Sequence, residues 1–297
     1  MSNKRTAEKI KYFISNLLLT NKNYINSLLE ARKLSANLSY NVNELYTIIH
    51  NESSPVFVLS TGRCGTQLIT NLFDKQKHNK VFHNPHPELT YYANYAYQHY
   101  PETELLKPII DCARYELIRN AFLLGETYIE TNNRITFFAY ALKELFPHAK
   151  FIHLLRHPFP FVKSGLSRGW YKNNKIIEEG RIRPGNEKKL NQFYQYNQVQ
   201  KIAWTWNETN TFIKIFGETM NHEKFLCIKA EDLFSDVNTA SLLFNFIGIQ
   251  NFSVNKLKRA IKKPVNVNKK TGRTLTDQEK RQIVEQTPLA QKYYNII

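Results

Sequence analysis

Cysteine is scarce in this chain. Cys64, Cys112 and Cys227 are odd in number and scattered across 297 residues, which is neither a disulfide framework nor a metal-ligand pattern. That usage fits a reducing compartment, so the expectation is a cytoplasmic protein. Long apolar runs are lacking too. The longest near the start, residues 12–19, is broken by Ser15 and Asn16 and is too short to span a bilayer. Asn- and Lys-rich sequence follows it, not a small-residue cleavage site. There is no internal repeat and no low-complexity tract. Negative charge is in deficit: 25 Asp and Glu face 41 Lys and Arg, a formal charge of +16. Such an excess concentrates anionic partners, whether nucleic acid, acidic polysaccharide, anionic membrane or phosphorylated cofactor. The aromatics do not interleave with cations as in an RNA or DNA module, so nucleic acid is not the expected partner.

What is present suits a packed α/β domain. Hydrophobic residues make up 42% of the chain, ample for a core and too many for disorder. Strand-like runs recur at 56–60, 79–83, 126–131, 150–155 and 224–229. Helical patterns lie between them: residues 66–76, a face of Phe138, Leu142, Leu145 and Phe146, a segment opening at Val162, and Ile202, Trp206, Thr209, Ile213 and Phe216. Strands alternating with helices predict a mainly parallel sheet of about five strands, covered on both faces. Residues 4–50 read as helix, giving an N-terminal extension over 1–52 packed on a main domain over 53–297. Two stretches, 172–192 and 262–276, read as irregular and basic. Ligands of such a sheet sit at the carboxyl ends of its strands.

Two motifs occupy that position. Val56 to Leu59 is a strand, Ser60 to Thr66 a Ser/Thr/Gly-rich turn, and Gln67 to Phe73 an amphipathic helix. The backbone amides of such a turn and the helix N-terminus form an anion cradle. The loop lacks the Lys of a nucleoside-triphosphate loop, and Gly62 and Gly65 stand too close for one. Arg63 is its only cation, which points to a phosphate-bearing ligand other than a triphosphate. The second motif runs from Lys150 to Trp170. An apolar strand delivers Arg156, Pro158 and Pro160 force a turn, and Ser164 follows in a helix. A guanidinium and a hydroxyl so placed can grip a second phosphate.

Together these motifs resemble the sulfotransferase family, whose donor is 3′-phosphoadenosine 5′-phosphosulfate (PAPS). The match covers roughly residues 53–290. Thr61, Gly62, Arg63, Cys64, Gly65, Thr66 and Gln67 look like the 5′-phosphosulfate loop, and Arg156 with Ser164 like the 3′-phosphate segment. Glu130-Thr-Asn-Asn-Arg134 sits where many members carry an acidic-Lys-Thr-Pro-like element. Lys229-Ala-Glu-Asp-Leu233 resembles the Tyr-Glu-Asp-Leu element after the last strand. The basic C-terminal segment within 262–297, with Lys269, Lys270 and Arg273, is similar to the part that closes over the nucleotide. The fold implied is a P-loop-like three-layer α/β sandwich. The activity implied is metal-free transfer of a sulfuryl group to a hydroxyl or amine, with 3′,5′-bisphosphoadenosine as product.

By the same resemblance Arg63 stabilises the bridging oxygen, and the base comes from the region after the second strand, where His83, His86 and Glu88 compete. His83 is favoured, because it follows the strand directly; Glu130, ending the third strand, is the reserve. Asn84 stands where some relatives carry an acid. Cys64 replaces the usual Ser. A nucleophilic Cys64 is the alternative, since a helix N-terminus lowers a thiol pKa. The Cys-x5-Arg spacing of a phosphatase loop is absent, however, because position 70 is Thr. A glycan, a glycolipid-like hydroxyl or a small metabolite would each suit as acceptor in a pocket roofed by residues 88–125 and 170–200, and the basic 172–192 stretch tilts the expectation towards an anionic one such as a saccharide. A P-loop kinase, a basic nucleic-acid-binding protein and a cofactor-binding but inactive relative remain the alternatives.

Overall fold

In the computed structural model, which describes residues 41–172, 178, 180–250, 252–261 and 273–294, five short strands carry the architecture. They are β1 (Val56–Leu59), β2 (Asn79–Phe82), β3 (Thr127–Glu130), β4 (Lys150–Leu155) and β5 (Phe225–Lys229), each inside an expected run. All four pairings are parallel, in the order β2-β3-β1-β4-β5. Val56 of β1 lies opposite Ile129 of β3 on one side and Lys150 of β4 on the other.

Thirteen α-helices are described around this sheet. In chain order they are α1 (Val42–Glu52), α2 (Thr66–Phe73), α3 (Tyr92–His99), α4 (Thr103–Leu123), α5 (Ala139–Leu145), α6 (Pro158–Leu166) and α7 (Glu187–Gln195). Then come α8 (Gln198–Glu218), α9 (Ala230–Ser235), α10 (Val237–Ile247), α11 (Val254–Ile261), α12 (Asp277–Gln286) and α13 (Pro288–Tyr294). A 3-10 helix, Asn133–Phe138, joins β3 to α5.

The pleat explains the layers. Every residue of β1 is buried, because successive side chains enter opposite cores. Phe57 and Leu59 pack with Ile49 of α1, Ile110 of α4, Leu142 of α5 and Phe216 of α8. Val56 and Val58 pack with Ile69 of α2, Leu233 of α9, Phe244 of α10 and Leu257 of α11. The result is the three-layer α/β sandwich with a five-stranded, wholly parallel sheet. A third cluster lies beyond the end of β4, where Phe161 and Val162 of α6 meet Trp206 of α8 and Ile283 of α12.

Some expectations need correction or lie outside the described residues. The stretch 172–192 is not irregular throughout: α7 begins at Glu187, where the Asn186 side chain accepts from the Lys189 amide at 3.2 Å. An N-cap of this kind satisfies a donor that the helix leaves free. Helices α3 and α4 occupy a region read only as cover for a pocket. Of the expected helix over 4–50, α1 is described; it docks on α4 through His50 Nε2 and Asp111 Oδ1 at 2.9 Å. Residues 1–40 and 262–272, with Lys269 and Lys270, lie outside the described residues. Among those described, no helix is long and apolar enough to cross a membrane.

After β3 the chain crosses to the other side of β1, so the strand order reverses there. A crevice must open at the carboxyl end of β1, where the adjoining connections leave in opposite directions.

Candidate functional site

That crevice holds a cavity of about 280 Å³. Its walls come from the carboxyl ends of four strands: Ser60 to Arg63 after β1, His83 and Asn84 after β2, Asn133 and Arg134 after β3, and Arg168 and Trp170 beyond β4. Arg181, Ile182 and Thr209 close the far side.

The loop after β1 is wound tightly. Gly62 and Gly65 have φ of 74° and 94°, and Arg63 between them has φ of 57°. Gly tolerates such angles, whereas a side-chain-bearing residue is strained there. At Gly65 space also matters, since a Cβ would lie 2.6 Å from the Phe234 ring. Two contacts staple the turn. Ser60 Oγ accepts from the Gly62 amide at 3.1 Å, and Cys64 Sγ donates to the Gly62 carbonyl at 3.0 Å. Gly65 is the N-cap of α2 and offers no side-chain acceptor, so the first amides of α2 are left for a ligand.

Cys64 is wholly buried, and burial pushes its thiol up to about 11. That shift is opposite to the one a helix N-terminus alone would produce, and it disfavours a nucleophilic thiolate. Its contacts are ones a hydroxyl could also make: the Gly62 carbonyl on one side, Thr61 Oγ1 at 3.0 Å on the other.

Three arginines converge on this loop. Arg156 donates through Nη1 to the Arg63 carbonyl. Trp206 Nε1 in turn donates to the Arg156 carbonyl at 2.7 Å, fixing the residue that leaves β4. Arg168 donates through Nη1 to Ser164 Oγ at 2.9 Å and to the Ser164 carbonyl at 3.1 Å. Burial, then Arg168 and Arg156, lower the pKa of Arg63; burial and Arg156 lower that of Arg168. Among the described residues none of the three forms an ion pair with a carboxylate. Among the described residues, Arg63 Nε is buried without a hydrogen-bond partner. Like charges held together with an orphan donor make a site whose strain an anion relieves.

Arg168 was given no role in the sequence, although it stands in the second motif. Its spacing of four from Ser164 was the available signal, since residues four apart meet on a helical turn. Arg134 and Arg181 also line the cavity, but each is neutralised. Arg134 pairs with Glu88 at 2.6 Å and Arg181 with Glu178 at 2.6 Å. Arg181 lies over the Trp170 ring, 3.9 Å from its centroid.

The base candidates separate clearly. His83 lines the cavity, with Nδ1 2.9 Å from Thr131 Oγ1. Partial burial lowers its pKa, and the Arg63 charge adds to that against the opposing Thr131 main chain. His86 and Glu88 are not among the lining residues. Glu130 is also outside the cavity and fully buried. Its carboxylate accepts from Arg114 Nε at 2.7 Å and Nη2 at 2.9 Å, from the Tyr128 hydroxyl at 2.7 Å and from Asn132 Nδ2 at 3.0 Å. Arg114 Nη1 continues to the Pro87 carbonyl at 3.0 Å. This buried ion pair ties the segment after His83 to β3.

The auxiliary motifs also hold structure together. Glu231 Oε1 accepts from the His157 amide at 3.0 Å, at the start of α6, and Oε2 accepts from the Tyr294 hydroxyl at 3.1 Å. Arg273 is hydrogen-bonded to Glu279 on α12 and does not line the cavity.

No known protein family and no curated protein matches the sequence. Solved structures with a similar fold are found. A sulfotransferase domain from the curacin biosynthetic pathway is 13% identical, covering 80% of this chain and 98% of that one, with a TM-score of 0.47. A sulfotransferase from Alicyclobacillus acidocaldarius is 15% identical, covering 80% and 92%, with a TM-score of 0.49. The sulfotransferase domain of the Synechococcus PCC 7002 olefin synthase is 17% identical, covering 83% and 90%, with a TM-score of 0.43. Each is a sulfotransferase, and the likeness of this chain to them is one of fold.

Proposed function

We propose that this protein is a sulfotransferase that takes PAPS as donor and a hydroxyl- or amine-bearing saccharide or small metabolite as acceptor. The observation that carries the reading is the cluster of Arg63, Arg156 and Arg168, three cations with no carboxylate partner among the described residues, gathered on an uncapped helix N-terminus. A ligand with phosphates at two positions suits that cluster better than a single phosphate.

The donor fits the residues present. The amides of Arg63 to Gln67 and the Thr66 hydroxyl would hold its 5′ end, and the Arg63 Nε donor, which has no partner among the described residues, would join them. Arg156, Ser164 and Arg168 would hold its 3′-phosphate, with Ser164 aimed by Arg168. Bound there, the donor supplies a sulfuryl group: the acceptor oxygen–sulfur bond forms as the bridging sulfur–oxygen bond breaks, and that electron pair passes to the 5′-phosphate oxygen. Arg63 places fixed positive charge where negative charge develops. His83 receives the acceptor proton, and its lowered pKa leaves it unprotonated at neutral pH. Asn133, Phe137, Trp170, Thr205 and Thr209 offer the acceptor an aromatic and hydroxyl-lined space.

The test is transfer of label from ³⁵S-labelled PAPS to a panel of saccharides and small alcohols. Transfer that vanishes in His83→Ala and Arg63→Ala supports the reading. Release of label to water alone, or none to any acceptor, points to the inactive relative.

A further inference from the structure

We infer that Thr131 and Thr70 are positioning residues that hold His83 in one tautomer, with the proton on Nδ1 and the lone pair of Nε2 free for the acceptor. The inference rests on the reading of His83 as the base.

The argument is a count of hydroxyl protons. Thr70 Oγ1 lies 3.0 Å from the Thr66 carbonyl, one turn earlier in α2, and 2.6 Å from Thr131 Oγ1. Thr131 Oγ1 lies 2.9 Å from His83 Nδ1 and 3.4 Å from the Phe82 carbonyl. A hydroxyl has one proton to give. In one arrangement His83 Nδ1–H donates to Thr131, Thr131 donates to Thr70, and Thr70 donates to the Thr66 carbonyl. Three hydrogen bonds form, and the chain ends on an acceptor that can only accept. In the reverse arrangement Thr70 donates to Thr131 and Thr131 donates to His83 Nδ1. Two bonds form, and no proton of this chain reaches the Thr66 carbonyl. The first arrangement satisfies more of a partly buried network, in which an unmade bond is costly.

The elements explain why the chain is rigid. Thr131 is fully buried at the end of β3, and its amide donates to the Phe82 carbonyl at 2.9 Å. Thr70 is on the helix whose N-terminus forms the anion cradle. The base and the cradle therefore share one support. When Nε2 takes the proton, the Nδ1–H bond to Thr131 is kept, and the two threonine hydroxyls stay oriented to spread the new charge. Proton transfer then needs no rearrangement at the ring, which is what an oriented base requires.

The readout is nitrogen NMR of the full chain labelled with ¹⁵N-histidine at pH 7.5, with the His83 signals identified by their loss in His83→Gln. The wild type is expected to show the Nδ1–H pattern. Thr131→Val removes the hydroxyl acceptor, leaves the main-chain carbonyl and keeps the shape; it is expected to move His83 towards the Nε2–H form. In that variant kcat should fall by about 10- to 100-fold with an unchanged KM for PAPS. Thr131→Ser, which restores the hydroxyl, should recover both. A wild-type His83 in the Nε2–H form overturns the inference, and so does a Thr131→Val protein with unaltered tautomer. The NMR result stands without turnover, so an Nδ1–H pattern in a protein that transfers no sulfuryl group would retain the relay and reject the sulfotransferase reading.

Discussion

The Arg156 guanidinium donates to the main-chain carbonyl of Arg63, so a hydrogen bond joins the loop after β1 to the residue that leaves β4. One arginine leaves β4 and the other leaves β1, and those strands are neighbours in the sheet. A change at Arg156 therefore acts twice. It removes a cation from the proposed anion site and a strut from the loop after β1. Arg63→Ala is expected to lower kcat by about 100-fold or more, as loss of a charge-stabilising donor does. Arg156→Ala should weaken binding of the bisphosphate by about 10- to 100-fold. The double variant should lose less than the sum of the two, because the sites touch. Steady-state kinetics and bisphosphate titration of the three proteins check this; strict additivity would contradict the coupling.

Glu130 is expected to matter for stability and not for proton transfer. Its four hydrogen bonds are all internal, and against burial the Glu130 charge and hydrogen bonds raise the pKa of the Arg114 guanidinium. Glu130→Gln should cost about 3–5 kcal/mol, the usual result of leaving a buried charge unpaired. Chemical denaturation measures it. A turnover number far below that of the folded wild type, with stability intact, would return Glu130 to the list of bases.

Cys64 should behave as a serine that happens to carry sulfur. With its thiol pushed to about 11 and no exposure, it should resist thiol reagents in the folded protein, while the exposed Cys112 reacts. Cys64→Ser should retain activity within about twofold, since the hydroxyl can make the same contacts. Loss of activity in Cys64→Ser together with rapid labelling of Cys64 would revive the nucleophile.

His153 supplies a pH dependence of stability. Burial lowers its pKa to about 4, against the opposing Asn210 hydrogen bond at 2.9 Å. The folded value lies below the unfolded value of 6.5. The stabilising contribution is therefore complete above pH 6.5 and is lost as pH falls towards 4. The size is about 3 kcal/mol, from a shift of roughly 2.5 units. Urea midpoints from pH 7 to pH 4 should decline, and the decline should be shallower in His153→Gln. Equal slopes would remove His153 as a cause.

Much of this was legible in the sequence, for physical reasons. The buried strands read as β-branched and apolar runs because both faces of β1 and β4 are covered. Arg63, Arg156 and Ser164 stood out as candidates because an anion cradle at strand ends would need those residue types there. The role of Glu130 was hidden. A carboxylate ending a strand looks alike whether it faces a cavity or an arginine from a distant helix, and Arg114 gave no sign of its partner. Thr131 and Thr70 were equally silent, since a threonine at a strand end or in a helix is ordinary until a histidine is seen beside it. The helix at Glu187 was masked by the charge and glycine of the stretch before it, although Asn186 was a cap in plain view.

Isothermal titration calorimetry of the full chain with 3′,5′-bisphosphoadenosine, and separately with ATP and Mg²⁺, tests the central claim most directly. The three-arginine cluster predicts binding of the bisphosphate in the micromolar range, weakening steeply with salt and about 10- to 100-fold weaker in Arg156→Ala. Tight binding of ATP with Mg²⁺ and none of the bisphosphate would contradict it.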